Sequence, residues 1–108
     1  MTVLTQSISI YVPSTRGPAR IDSRPYVAKI AKELSKLFGG ATAIPASGAW
    51  VNANGELITE KVTIVKSFAS PEDISRKRAE VFALAKDLKA DLLQDLVSIE
   101  TPNGLELI

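Results

Sequence analysis

The pair Asn54-Gly55 constrains the fold more than any other feature of the chain. It is a favoured two-residue β-hairpin turn, because asparagine and glycine accept the positive φ angles that such turns need. Residues 57–68, LITEKVTIVKSF, follow the turn and are rich in the β-branched residues that strands favour. Residues 42–51 precede it and contain Pro45, which is typical of a bulge or a sheet edge. The sequence therefore predicts a central antiparallel hairpin.

Two helices are predicted, one before and one after this hairpin in the sequence. The first covers residues 24–38, where apolar side chains recur at helical spacing after the capping pair Asp22-Ser23 and before two glycines. The second begins after the capping residue Ser70 and ends near Asp91. Its apolar stripe consists of Ile74, Val81, Ala85, Leu88 and Leu92.

Strands near the two ends of the sequence complete the pattern. Residues 4–12 alternate between apolar and polar side chains, as a half-buried strand does. Residues 96–100, LVSIE, form a strand, and 105–108, LELI, are a possible extra strand after the turn TPNG. The order βαββαβ predicts an α+β fold of the ferredoxin-like type, with two helices on one face of an antiparallel sheet. A single domain over residues 1–108 fits this length.

The predicted core lies between the sheet and the helices. In the second hairpin strand, we expect Val62, Ile64 and Phe68 to face the helices. Thr63 and Val65 should then point to the open face, together with Tyr11 of the first strand. The full predicted core is Ile8, Ile10, Leu34, Phe38, Val62, Ile64, Val81 and Leu88.

Composition excludes several kinds of chemistry. The chain has no histidine and no cysteine, so it lacks disulfides, thiol nucleophiles, imidazole bases and the commonest metal ligands. We expect no metal and no cofactor. The N-terminus lacks the pattern of a signal peptide and no run is long enough to span a membrane, which predicts a cytoplasmic protein.

The segment FGGATAIPASGAWVNANGELITEKVTIVKSF, residues 38–68, resembles a pattern in small uncharacterised bacterial proteins. These proteins have a glycine-tryptophan strand, a turn glycine and an E-x-V sequence that leads into an apolar strand. The resemblance covers roughly residues 5–100. It implies a ferredoxin-like βαββαβ fold, and it implies no particular activity.

Three arginines suggest an anion-binding site. Arg16, Arg20 and Arg24 surround the sequence GPARIDS just before the first helix. Guanidinium groups near a helix N-terminus can hold a phosphate. The alternative is a solvated loop, since no phosphate-binding loop motif is present.

The open sheet face suggests an interface. Trp50, Tyr11, Thr63 and Val65 are the predicted contact residues of a homodimer, because two helices cover only one side of the sheet. RNA recognition of the four-stranded-sheet type is disfavoured, because the strand EKVTIVKSF lacks its aromatic motif.

These observations favour a non-catalytic, homo-oligomeric binding module. The first alternative is a small enzyme that acts on a phosphorylated or nucleotide-like ligand, with the arginine loop as anion clamp and Tyr11, Tyr26 or a carboxylate in the chemistry. A second alternative is nucleic-acid binding through the basic residues 16–36. A pocket lined by convergent polar groups beside these arginines would favour the enzyme.

Overall fold

The computed structural model describes residues 1–108, which fold into two helices and seven strands. Five strands form one antiparallel sheet in the order β4-β5-β1-β6-β7, and β2 and β3 form a separate small hairpin. This α+β architecture confirms the predicted fold, including the extra C-terminal strand. The elements are β1 Gln6–Pro13, β2 Thr15–Arg16, β3 Ala19–Arg20, α1 Arg24–Phe38, β4 Thr42–Val51, β5 Leu57–Ala69, α2 Pro71–Asp91, β6 Ser98–Thr101 and β7 Gly104–Leu107.

Local chemistry predicts both ends of α1 and the start of α2. At the start of α1 the Asp22 carboxylate accepts a hydrogen bond from the Arg24 backbone N–H at 3.1 Å. At its end Gly39 adopts a φ of 91°, a left-handed conformation that glycine accepts without strain. At the start of α2 the Ser70 hydroxyl accepts from the Asp73 backbone N–H at 3.2 Å. Neither helix has the length and apolar character that a membrane crossing requires.

The central hairpin is longer than the rest of the sheet. Strand β4 is a continuous edge strand, and Pro45 does not interrupt its pairing with β5. Strand β1 pairs with β5 only as far as the partners Pro13 and Val62. Residues 47–61 therefore extend past β1 as a two-stranded projection, which we call the hairpin arm.

The core forms between the helices and one face of the sheet. Five of the eight predicted core residues are buried in it: Ile8, Ile10, Leu34, Val81 and Leu88. A sixth, Phe38, is partly buried and packs against it. The predicted stripe of α2 is buried along its whole length, from Ile74 to Leu92. Helical periodicity was sufficient here because α2 buries one apolar face along its length.

The predicted orientation of β5 is wrong. Val65 is 0% exposed and lies opposite Ile10 in the core. Val62 and Ile64 point to the other face, where Phe68 is 54% exposed. At the end of this strand, the core-facing residues are the small side chains Ser67 and Ala69, and both are buried. The Ser67 hydroxyl donates a hydrogen bond to the Gly40 carbonyl at 2.7 Å.

The predicted loop over residues 13–24 contains structure. Strands β2 and β3 form a short hairpin, with Gly17 at a φ of 56° in its turn. The Gly17 backbone N–H donates to the Leu92 carbonyl at 2.8 Å, and the Gln94 side-chain amide donates to the Thr15 carbonyl at 3.0 Å. These bonds attach the hairpin to the segment that follows α2.

Candidate active site

A cavity of about 460 Å³ opens at the end of β1. This volume lies within the range of small-molecule sites. Its walls come from the end of β1, the β2–β3 hairpin, the hairpin arm and the segment between α2 and β6. The lining residues are Tyr11, Pro13, Ser14, Thr15, Arg20, Ile21, Ser47, Thr59, Glu60, Lys61, Val62, Gln94, Leu96, Val97 and Ser98.

The topology explains why the cavity forms at this point. Strand β1 occupies the middle of the sheet and ends at Pro13, which has no N–H for a further ladder bond. Beyond Pro13, strand β5 continues into the hairpin arm while the chain after β1 turns into the β2–β3 hairpin. The sheet therefore lacks its central strand here, and the space is lined by side chains from both neighbours.

Tyr11 is a hydrogen-bonding group of this cavity. Its hydroxyl donates to Glu100 Oε1 at 2.8 Å. Partial burial raises the pKa of Tyr11, and the bond to the negatively charged Glu100 raises it further. The phenol is therefore protonated at neutral pH, so Tyr11 can orient a ligand but cannot act as a base.

Glu60 is the one carboxylate that lines the cavity. It lies on the hairpin arm, where its Oε1 accepts a hydrogen bond from the indole N–H of Trp50 at 3.4 Å. Trp50 is the only tryptophan of the chain and is 52% exposed. A carboxylate beside an exposed aromatic ring is a combination that attracts cations. This side of the cavity can therefore hold a positively charged ligand group.

The three predicted anion-binding arginines do not act together. Arg16 donates from Nε to the Asp91 carbonyl at 3.1 Å. Arg24 pairs with Asp22 at 2.8 Å and holds the pKa of that carboxyl at about 2. Only Arg20 lines the cavity. These contacts therefore do not support an anion clamp of three guanidinium groups. Arg20 alone is available at the cavity.

Glu56, Tyr26 and Arg78 lie away from the cavity. Glu56 accepts a hydrogen bond from the Asn52 side-chain amide in the hairpin turn. Tyr26 lies against α2, in a small groove between the helices. Arg78 forms an ion pair with Glu106 that joins α2 to β7. No group of three or more side chains with metal-ligand chemistry occurs.

The four predicted interface residues divide between the two sheet faces. Val65 is buried in the monomer core, so it cannot contact another chain, and Thr63 shares its face. Tyr11 and Trp50 lie on the open face. That face also exposes several large apolar side chains, namely Ile44, Phe68, Leu105 and Leu107.

Sequence reasoning missed the segment after α2 as part of the site. Gln94 and Ser98 line the cavity beside Leu96 and Val97. The preceding Leu93 has a φ of 50°, unusual for a residue other than glycine, and this turn directs the chain back toward the β2–β3 hairpin. No motif marks these residues, because their role depends on contacts with segments about 80 positions away in the chain.

Comparison with known proteins gives two similar solved structures. No protein-family model and no curated protein sequence matches the chain. A phage SAM lyase in complex with S-methyl-5′-thioadenosine is similar over 100% of this chain and 94% of its own, with 22% identity and a TM-score of 0.71. A phage SAM lyase in the apo state is similar over 100% of this chain and 92% of its own, with 21% identity and a TM-score of 0.62.

This likeness contradicts the expectation of a non-catalytic binding module. Both structures that share the whole fold of the chain are enzymes, and one of them holds a nucleoside. The cavity beside Arg20 also favours an enzyme, because a pocket lined by convergent polar groups is the feature that the sequence analysis expected of an enzyme. The alternative reading, a small enzyme with a nucleotide-like ligand, is the better supported one.

Proposed function

We propose that this protein is a lyase that cleaves SAM (S-adenosylmethionine) and releases S-methyl-5′-thioadenosine. The observation that carries the proposal is the likeness to a SAM lyase over the entire chain, in a fold that has a ligand-sized cavity. The proposal narrows the nucleotide-like ligand of the sequence analysis to a nucleoside that has no phosphate group and carries a positively charged sulfonium centre.

The chemistry of this substrate suits a chain without histidine or cysteine. When the bond between the sulfonium sulfur and Cγ of the amino-acid chain breaks, the electron pair goes to sulfur. The leaving group is then a neutral thioether, which needs no proton from the enzyme. General acid catalysis is unnecessary for this step, so the usual donors of such protons are not required.

The four-carbon fragment also needs no added water. Its own carboxylate can attack Cγ and displace the thioether, forming a lactone as the C–S bond breaks. The other lyase route removes a proton from Cβ, which is a very weak acid and demands a strong base. Glu60 is the one carboxylate of the cavity, and Tyr11 is held in its protonated form. We therefore favour ring closure, for which the enzyme has to orient and desolvate the substrate.

Named residues have distinct parts in this proposal. Glu60, beside the indole of Trp50, attracts the cationic portion of the substrate. Tyr11 donates its one hydroxyl proton to Glu100, so its oxygen is left to accept a hydrogen bond from the substrate. The Gln94 side-chain N–H groups are bonded to the Thr15 and Leu92 carbonyls, and its carbonyl oxygen offers a second acceptor. The apolar wall formed by Leu96 and Val97 favours departure of the neutral thioether over retention of the sulfonium.

We also propose that the protein self-associates through the open sheet face. The exposed apolar side chains on this face are too numerous for a surface that stays in water. The hairpin arm supports the same view, because an isolated two-stranded hairpin is marginally stable without a packing partner. A second copy would cover Ile44, Phe68, Leu105 and Leu107 and border the cavity at Trp50 and Tyr11. Thr63 and Val65 leave the interface proposed from sequence. A cytoplasmic location stays a prediction.

The activity test is incubation of the purified protein with SAM, followed by chromatography of the products. We expect S-methyl-5′-thioadenosine and homoserine lactone in equal amounts. The Glu60→Gln variant should lose most of the activity, while Glu72→Gln, an exposed glutamate at the start of α2, should retain it. Detection of vinylglycine as the co-product would show that the C–S bond breaks by elimination and not by ring closure. S-adenosylhomocysteine as product, or no turnover, would refute the lyase.

A further inference from the structure

Arg20 is the one arginine of its loop with a free guanidinium. It lies on β3, lines the cavity and makes no hydrogen bond or ion pair through its side chain. Arg16 and Arg24, in the same loop, are both engaged by groups of their own chain. The only other cation that lines the cavity is Lys61, on the hairpin arm.

The support beneath Arg20 is well defined. Three contacts attach the β2–β3 hairpin to the end of α2 and the segment after it, and they involve Gly17, Gln94 and the Arg16 side chain. The Arg20 backbone therefore has a fixed position relative to Gln94, another lining residue. A guanidinium on such a support can hold a carboxylate through two parallel N–H bonds, which the ammonium of Lys61 cannot do.

From this geometry we infer that Arg20 is the specificity-determining residue for the substrate carboxylate. The inference rests on the proposed function and adds a recognition element to it: the site distinguishes nucleosides that carry an amino-acid chain from those that do not. Each oxygen of a carboxylate held by Arg20 keeps a second lone pair. The carboxylate can therefore be oriented and still attack Cγ.

The test compares two stable ligands that differ in the amino-acid chain. S-adenosylhomocysteine carries the carboxylate and has no sulfonium to cleave, whereas S-methyl-5′-thioadenosine lacks the chain altogether. Binding can be followed by calorimetry and by fluorescence of Trp50, the single tryptophan, which contacts the cavity residue Glu60. Arg20→Gln should weaken S-adenosylhomocysteine about 10- to 100-fold, the loss expected for a charge-assisted contact, and leave S-methyl-5′-thioadenosine unchanged.

Further variants identify the source of any effect. Arg20→Lys should give an intermediate loss, because lysine keeps the charge without the planar fork. Lys32→Gln removes one exposed positive charge from α1 and should change neither affinity. The inference is overturned if Arg20→Gln weakens both ligands equally, or if Lys61→Gln alone gives the selective loss. If the unaltered protein binds neither ligand, the proposed function itself has failed.

Discussion

Replacing Val65 and Val62 in turn measures which face of β5 belongs to the core. Both changes, Val65→Ala and Val62→Ala, remove two methyl groups from the same strand, but Val65 is fully buried and Val62 lies on the open face. Two buried methyl groups correspond to roughly 1.6 kcal/mol of transfer free energy. A cavity that relaxes incompletely adds up to about 1 kcal/mol, which gives a total of about 2–3 kcal/mol for Val65→Ala. We expect less than about 1 kcal/mol for Val62→Ala.

The assay is urea unfolding followed by Trp50 fluorescence and by circular dichroism, with coincident curves as the check on two-state behaviour. For a domain of this size, the Val65 variant should also melt roughly 8–12 °C below the parent protein. Measurements at several protein concentrations separate any effect of Val62 on self-association, because only that effect depends on concentration. If Val62→Ala costs more than Val65→Ala at every concentration, the observed register of β5 is wrong.

Two further predictions concern the scaffold and the open face. The ion pair with Arg78 and a hydrogen bond from the Thr101 hydroxyl lower the pKa of Glu106 from 4.5 to about 2. The Glu106 carboxylate therefore contributes its full stabilisation above pH 4.5. That stabilisation is lost as the pH falls from 4.5 toward 2. The difference in melting temperature between the parent protein and Glu106→Gln should therefore be largest near neutral pH and vanish near pH 2; a difference that persists there would refute the linkage. Trp50→Ser should shift the protein toward monomer in sedimentation at micromolar concentration, whereas Lys32→Gln should not; a parent protein that is already a monomer would exclude the association.

Much of the fold could be predicted because its signals are local. The bounds of α1 follow from the cap at Asp22 and the left-handed Gly39, and the start of α2 follows from Ser70. The position of the hairpin turn follows from Gly55, whose φ is 78°. Its length does not, because the loop spans residues 52–56 and Asn54 has no positive φ. Each of these features depends on the conformational preferences of a few neighbouring residues. They can therefore be predicted from the local sequence alone.

The site could be predicted only in part. Arg20 was one of three arginines expected to bind an anion, but sequence spacing gave no reason to place it with Glu60 in one cavity. Arg16 and Arg24 looked equivalent to Arg20 until the structure gave each a partner. Charge and spacing describe what a side chain can bind, while its neighbours in space determine whether it is free to do so.

The sequence by itself determined the order of the helices and of the five sheet strands, both ends of α1, the start of α2 and the absence of histidine and cysteine chemistry. Tertiary structure decided which face of β5 is buried, because Val62 and Val65 belong to alternating sets that both contain apolar residues, and pairing with β1 chooses between them. It also created the cavity, whose walls come from four separate segments around the end of β1 at Pro13. Such a space arises from contacts between distant residues, and no local preference encodes it.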